Sequence, residues 1–276
     1  MNFEIVPAPE VTLTEQATVF TEAFAGYLAG SMKMNAELLA RFLSAQGADL
    51  CYSRFVRTSG KLVGFGYINR TGNISRLAGM GVIPSVRRAG AARHLLLHFV
   101  DEATKRRDRA MTLEVFEQNS GAHALYSGNG FREIARLFGW RREEGVDLPG
   151  VPSDPLEEIS LIAASQTRSA LDYPEIPWQI SRHAVVKLSA ARAFRIGNTV
   201  IVIGDPTSSP IRVHAFFNFS GKIDEVTSAF SAVLQRFKGS EFFAPAIFPE
   251  RFGEKIFQSL GFKHEPLNQF LMQRDL

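Results

Sequence analysis

The sequence predicts an α/β (α+β) protein, a mixed, mainly antiparallel sheet flanked by helices, formed twice in tandem. Three observations predict it. Strand-like and helix-like stretches are interleaved through both halves, which suits layers of sheet and helix and not an all-helical or all-β chain. Residues 51–82 hold three strand-like runs joined by tight turns, the pattern of antiparallel hairpins. The order of elements in the first half then returns in the second. With 276 residues and 45% hydrophobic content, the chain can bury two cores.

Taken in order, "FEIVPA" is a short strand, and "TEQATVFTEAFAGYL" and "NAELLARFLSAQ" are amphipathic helices. "CYSRFVRTSGKLVGFGYINRTGNISRLAGMGV" gives the three strands, turning at Ser59-Gly60 and Thr71-Gly72-Asn73. Pro84 ends the third, because it has no N–H for the ladder. Ala92, Leu95, Leu96, Phe99 and Ala103 recur at helical spacing across Ala91–Arg107. "AMTLEVFEQ" is a strand, "SGAHALYSG" a short helix and "FREIARLFGW" a strand. The charged, then Gly- and Pro-rich stretch after it divides the chain into residues 1–145, a linker at 146–156, and residues 157–276.

In the second half, "LEEISLIAA" and "ARAFRIGNTVIVIGDPTSSPIRVHAFFNF" supply strands and "IDEVTSAFSAVLQRF" a helix. "EFFAPAIF", "ERFGEKIFQSL" and "FKHEPLNQFLMQ" follow as strand, helix and strand. An offset of 131 residues lays Gly130-Phe131 on Gly261-Phe262, Gly90 on Gly221, Val82 on Val213 and Phe99 on Phe230. Packing positions therefore recur. Polar ones do not: Tyr126 falls on Phe257, Glu114 on Pro245, Arg87 on Asn218 and Ala92 on Ile223.

The N-terminus has an acid at position four and no basic stretch before an apolar run, unlike a secretory signal. No apolar run reaches the ~18 residues of a membrane span. The single Cys51 cannot form an internal disulfide or the usual metal clusters. These features predict a cytoplasmic protein with no membrane partner and no metal. His94 and His98, at i and i+4, lack a third ligand in view and read as an exposed helical pair. Charge is uneven: Ile74–Arg109 holds eight basic residues and three acids, enough to attract an anion. Aromatics are not interleaved with these cations, so no nucleic-acid partner is expected.

The segment "GMGVIPSVRRAGAARHLLLHF" joins the third hairpin strand to the long helix. A helix N-terminus leaves N–H groups unpaired and carries partial positive charge. Gly90, Ala91 and Ala92 let an anion approach those groups, and Arg87 and Arg88 add mobile positive charge. Tight helix–strand packing is the plainer explanation of the same small residues. The segment matches neither G-x-G-x-x-G nor the P-loop pattern.

Arg87-x-x-Gly90-x-Ala92 resembles the Arg/Gln-x-x-Gly-x-Gly/Ala acyl-CoA pyrophosphate loop of the GNAT superfamily of N-acetyltransferases. Downstream, "LEVFEQNSGAHALYSGNGF" is similar to that family's next signature, a Leu-Glu-Val strand, an Asn, Ala-x-x-Leu-Tyr and Gly-Phe. Together the motifs span about residues 75–135, in the family's order.

The resemblance implies transfer of an acetyl group from acetyl-CoA to a primary amine by direct attack, with acetyl-CoA as co-substrate. It assigns the pyrophosphate to Arg87, Arg88, Ala89, Gly90, Ala91, Ala92 and Arg93, and the pantetheine arm to the backbone of Val82. Asn119 is a helix N-cap with a CoA contact in the family. Tyr126 occupies the position of the acid that protonates the departing thiolate, against a core role beside Leu125. Glu114, twelve residues earlier, matches the base of the branch that acetylates protein N-termini; its alternation with Leu113 and Val115 equally fits a solvated strand face. Many relatives carry an acid on the strand before the loop, whereas "RLAGMGV" has none. The second half is expected to be a degenerate copy without the acyl-CoA loop. Expected partners are a small-molecule or peptide amine and, among assemblies, a homodimer. The alternative is a non-catalytic acyl-CoA sensor or interaction module on the same fold.

Overall fold

The first sheet is covered at its middle strand, Lys61–Thr71, where residues 63–69 are all buried. The computed structural model describes residues 2–28, 30, 32–146, 155–170 and 175–276. By contact the chain divides into two units, Met1–Ile134 with Met272–Leu276, and Ala135–Leu271. Most of the expected linker, residues 147–154, lies outside the described residues.

In the first unit, β1 (Glu4–Pro7) is followed by α1 (Leu13–Ala23) and α2 (Ala36–Ala45). Thr12 and Glu15 form a reciprocal capping box at α1, and the Asn35 side chain caps α2 through Leu38 N–H at 2.8 Å. The hairpin strands are β2 (Asp49–Thr58), β3 (Lys61–Thr71) and β4 (Ile74–Val82). Ser59 and Gly60 both have positive φ, the geometry that matches a two-residue hairpin turn to strand twist. Helix α3 (Ala91–Lys105) leads to β5 (Ala110–Phe116), and α4 (Ser120–Ser127) follows. The order is β1-β2-β3-β4-β5, antiparallel except for the parallel β4–β5 pair. Phe20 of α1 stacks on Phe65 of β3 at 5.0 Å, and Tyr67 donates to Gln16 beneath them. Gly66 lets α3 lie close to the sheet: a Cβ there would meet Phe99 at 2.3 Å.

One irregularity shapes this unit. The β4–β5 register runs from Ile74↔Ala110 to Leu77↔Leu113, and β4 bulges at the next residue, where Tyr67 pairs Gly79 and Ile68 pairs Leu77. A bulge bends and twists its strand. Beyond it β4 continues on β3 alone, as far as Gly64↔Val82, and an opening is left between β4 and β5.

The second unit repeats this plan. β6 (Arg132–Arg142), β7 (Glu157–Ile159), β8 (Arg192–Ile196), β9 (Thr199–Ile203), β10 (Ile211–Asn218) and β11 (Phe242–Pro249) are its main strands, in the order β6-β11-β10-β9-β8-β7. Helices α5 (Leu161–Gln166), α6 (Arg182–Val185) and α7 (Ile223–Arg236) accompany them; β12 (Lys263–His264) pairs with β6, and β13 (Gln269–Asp275) ends the chain. β10 and β11 are parallel, as β4 and β5 are, and pair only at Ile211↔Phe242 and Arg212↔Phe243. Gly90 and Gly221, in register at an offset of 131, both have positive φ (+95° and +73°).

Three expectations change. "LEEISLIAA" is strand only to Ile159, because the Ser160 hydroxyl accepts the Ala163 N–H and starts α5. Residues 250–260 form 3₁₀ and π turns instead of a regular helix. "FKHEPLNQFLMQ" is two strands, interrupted around Pro266. The contact boundary also falls earlier than residue 145, because residues 137–142 of β6 pair with β11. The last five residues join the first unit: Arg274 donates to the Asn129 carbonyl at 2.6 Å, Asp275 meets Arg132 at 2.6 Å, and Leu276 N–H donates to Arg109 at 3.1 Å.

Candidate active site

The opening between β4 and β5 leads into a cavity of about 630 Å³ in the first unit, the size of a small-molecule site. Met80, Gly81 and Val82 of β4 form one wall, and Asn119–Ala122, Leu125 and Tyr126 at α4 another. Phe24, Gly26, Tyr27 and Leu28, from the segment after α1, form a third. Ile83 N–H donates to Val63 on β3. Since strand groups alternate sides, the N–H and carbonyl of Val82 face away from β3, toward the opening.

At the other end, α3 begins without any side-chain cap. His94 N–H makes the first helical bond, to Gly90 at 2.9 Å, so the N–H groups of Ala91, Ala92 and Arg93 precede the ladder. Gly90 takes φ +95°, and a Cβ there would have only Phe3 as near as 4.0 Å. Arg88 also takes a left-handed φ, +63°, which costs a non-glycine residue about 1–3 kcal/mol. The turn thereby folds into a concave run ahead of the helix. Arg87, Arg88 and Arg93 all line the cavity, and none of its described lining residues is Asp, Glu or His.

The predicted site residues separate into two groups. Val82, Arg87, Arg88, Gly90, Ala92, Arg93, Asn119 and Tyr126 all line the cavity. Ala89, Ala91 and Glu114 do not. Ala89 N–H is used within the turn, donating to Val86 at 3.3 Å, and Ala91 packs its side chain into the core at 1% exposure. Arg87 is not a mobile charge: its Nε donates to the Val82 carbonyl at 3.3 Å and its Nη2 to the Ala23 carbonyl at 3.0 Å. It braces the loop against β4 and the end of α1, leaving Arg88 and Arg93 as the freer cations.

Glu114 is neither solvated nor poised as a base. Arg76 Nε donates to both its carboxylate oxygens at 3.0 Å, and Nη2 to one of them at 2.7 Å. Both side chains are about 5% exposed or less. A carboxylate held in this bidentate grip is committed to its guanidinium partner and lies outside the cavity lining.

Tyr126 is 7% exposed, edge-on to Phe131, and its hydroxyl meets no hydrogen-bonding partner among the described residues. Burial, with the neighbouring Tyr27 adding to it, holds its pKa well above that of a free phenol. It is therefore a protonated phenol at neutral pH, with its O–H available to donate within the cavity. Asn119 caps α4 by accepting the Ala122 N–H at 3.2 Å and also hydrogen-bonds Tyr27. Sequence reading missed Tyr27, whose segment carries no motif; only its place in the loop after α1 hinted at a site wall.

Residues 19–131 match the model of the acetyltransferase (GNAT) family. This stretch of the first unit is a GNAT-family domain. The whole length of the chain has the tandem GNAT fold, as three solved structures show. A GCN5-related N-acetyltransferase from Anabaena variabilis superposes with a TM-score of 0.65 over 99% of this chain and 73% of its own, at 15% identity. A tandem GNAT protein from the clavulanic acid biosynthesis pathway gives 0.63 over 99% and 98%, at 15% identity. A GCN5-related N-acetyltransferase from Sphaerobacter thermophilus gives 0.61 over 99% and 95%, at 12% identity. No curated protein matches the sequence.

The GNAT donor implied by this family, acetyl-CoA, suits the residues present. Unpaired helix N–H groups and two freer arginines match a pyrophosphate, and the outward-facing Val82 backbone matches an amide-bearing arm. The second unit's equivalent places are filled. At the start of α7, Lys222 N–H donates to Asn218 Oδ1 at 3.1 Å, and Asn218 Nδ2 donates to Glu225, an anion within the first turn. Across the gap between β10 and β11, Phe216 stacks on Phe248 at 5.5 Å, with Phe252 and Phe257 against them.

Among the described residues no helix is long and apolar enough to cross a membrane.

Proposed function

We propose that this protein transfers an acetyl group from acetyl-CoA to a primary amine, with the first unit as the catalytic half. The observation that carries it is the meeting, in one cavity, of the uncapped start of α3, the Arg88 and Arg93 cations and the Tyr126 phenol. The N–H groups of Ala91–Arg93, with Arg88 and Arg93, would hold the pyrophosphate, and Val82 the pantetheine arm. The donor supplies a thioester, an acyl carbon with a thiolate leaving group. Val82 and the braced loop orient that carbon toward the α4 wall, where Tyr126 holds a proton for the sulfur. The amine must attack as the free base. With Glu114 committed to Arg76, the described lining supplies no carboxylate or imidazole to deprotonate it. The acceptor therefore arrives neutral or loses its proton to water.

The missing base also favours a second reading, an acyl-CoA sensor without turnover. Purified protein with acetyl-CoA and a panel of α-amines, polyamines, aminoglycosides and peptides separates them, read as release of free thiol. Thiol release with at least one amine class is expected. Tight CoA binding without acceleration for any amine would favour the sensor.

We further propose that the second unit is a degenerate copy serving as scaffold, because Asn218, Glu225 and the Phe216–Phe248 stack occupy its donor positions.

A further inference from the structure

We propose that Tyr27 is a second proton donor to the departing thiolate, sharing that role with Tyr126. The proposal rests on the acetyl-transfer reading of the cavity. Both phenols line it, and Tyr27 lies near enough to Tyr126 to raise the latter's pKa. Tyr27 reaches the cavity from the segment after α1, its ring edge-on to Phe24 at 4.8 Å and 6.0 Å from Phe116 of β5.

The orientation of its hydroxyl follows from Asn119. The Asn119 side-chain oxygen accepts the Ala122 N–H at the cap, which fixes which end of the amide is which. The NH₂ end remains for Tyr27, and this bond favours the ionised phenol. Tyr27 Oη is therefore the acceptor, and its own O–H is left to donate elsewhere. Burial raises the pKa of Tyr27 and the Asn119 bond opposes it, whereas Tyr126 has burial without such relief. Of the two, Tyr27 is the phenol whose conjugate base has a hydrogen-bond donor, Asn119, to offset part of the cost of burial. The other charged groups facing the cavity, Arg87, Arg88 and Arg93, are cations.

The step balances. The amine nitrogen bonds to the acyl carbon, the C–S bond breaks and the sulfur leaves with its electron pair. A phenol O–H passes its proton to that sulfur, giving the free thiol. The proton shed by the amine nitrogen returns the phenolate to phenol through water.

The test starts with CoA itself. A phenol donating to the sulfur lowers the pKa of the bound thiol, which the ultraviolet absorbance of the thiolate reports across a pH titration. Tyr27→Phe keeps the ring and its packing, and should shift that pKa upward while CoA affinity by calorimetry stays unchanged. In turnover, each single Phe variant should lose less than ~10-fold in kcat, and Tyr27→Phe/Tyr126→Phe ~10²–10⁴-fold, more than the singles multiplied. An unmoved thiol pKa in Tyr27→Phe, with the double variant equal to Tyr126→Phe, refutes the role while leaving the donor site intact. Failure of the unaltered protein to bind CoA removes the donor-site reading and Tyr27's role together.

Discussion

Replacing Glu114 should cost stability and spare chemistry. Its carboxylate and the Arg76 guanidinium are 5% and 4% exposed, so solvent screens the pair little. Breaking a buried pair by deleting one partner typically costs ~3–5 kcal/mol, since the surviving charge stays buried. Glu114→Ala removes the carboxylate and keeps the neutral acceptor Gln46 Oε1, 3.1 Å from Arg76, and belongs at the upper end. Glu114→Gln keeps one acceptor oxygen and belongs at the lower end. For a unit of this size each kcal/mol moves the melting temperature by ~2–4 °C, so the thermal transition of the first unit should fall by roughly 6–20 °C. Arg76→Leu/Glu114→Leu, which removes both charges, should recover much of that loss. Calorimetric scanning of the variants, with kcat measured below the transition, tests this. Per folded molecule, Glu114→Gln should turn over within a few-fold of the parent. Unchanged melting with a ~10²-fold or larger drop in kcat would make Glu114 the base after all.

Gly90→Glu should abolish CoA binding, because it strains the +95° φ and adds negative charge where phosphate must sit; calorimetry of the parent should give one CoA per chain, and two sites would overturn the scaffold role of the second unit. Deleting Met272–Leu276 removes buried Met272 and the bonds to Asn129, Arg132 and Arg109. At ~2 kcal/mol for the side chain and ~1 kcal/mol per bond, the first unit should lose several kcal/mol and, with it, CoA affinity; a truncated chain of unchanged stability would contradict the assignment of these residues. Acid should destabilise the second unit through His214. Burial, with Arg212 beside it, pushes this imidazole down to about 3 from an ordinary 6.5. The unfolded chain then takes up the proton first, so stability is lost as pH falls below 6.5, by about 2 kcal/mol at pH 5. His214→Gln should flatten that slope, and identical acid-unfolding midpoints would refute it.

What the sequence determined by itself is local. Hairpin turns at Ser59-Gly60 and Gly72, the caps at Thr12 and Asn35, and the glycine turn into α3 are written in a few consecutive residues. So was the cluster of Arg88, Gly90, Ala92 and Arg93, because a helix start and the loop before it are contiguous in the chain. The recurrence of packing positions at an offset of 131 residues was likewise legible, since a repeated core repeats its apolar spacing. Tertiary structure decided the rest. Alternation along β5 could say that Glu114 pointed away from Leu113, but not that Arg76, on the neighbouring strand, waited there to hold it. Nothing near Tyr27 in the sequence points to Asn119, and nothing in the last five residues shows that they join the first unit instead of the second. Arg87 read as a free cation until the carbonyls of Ala23 and Val82 were found around it. Backbone preferences act over a few residues, whereas the partner of a buried charge, a phenol or a strand edge is whatever the folded chain brings within about 3 Å.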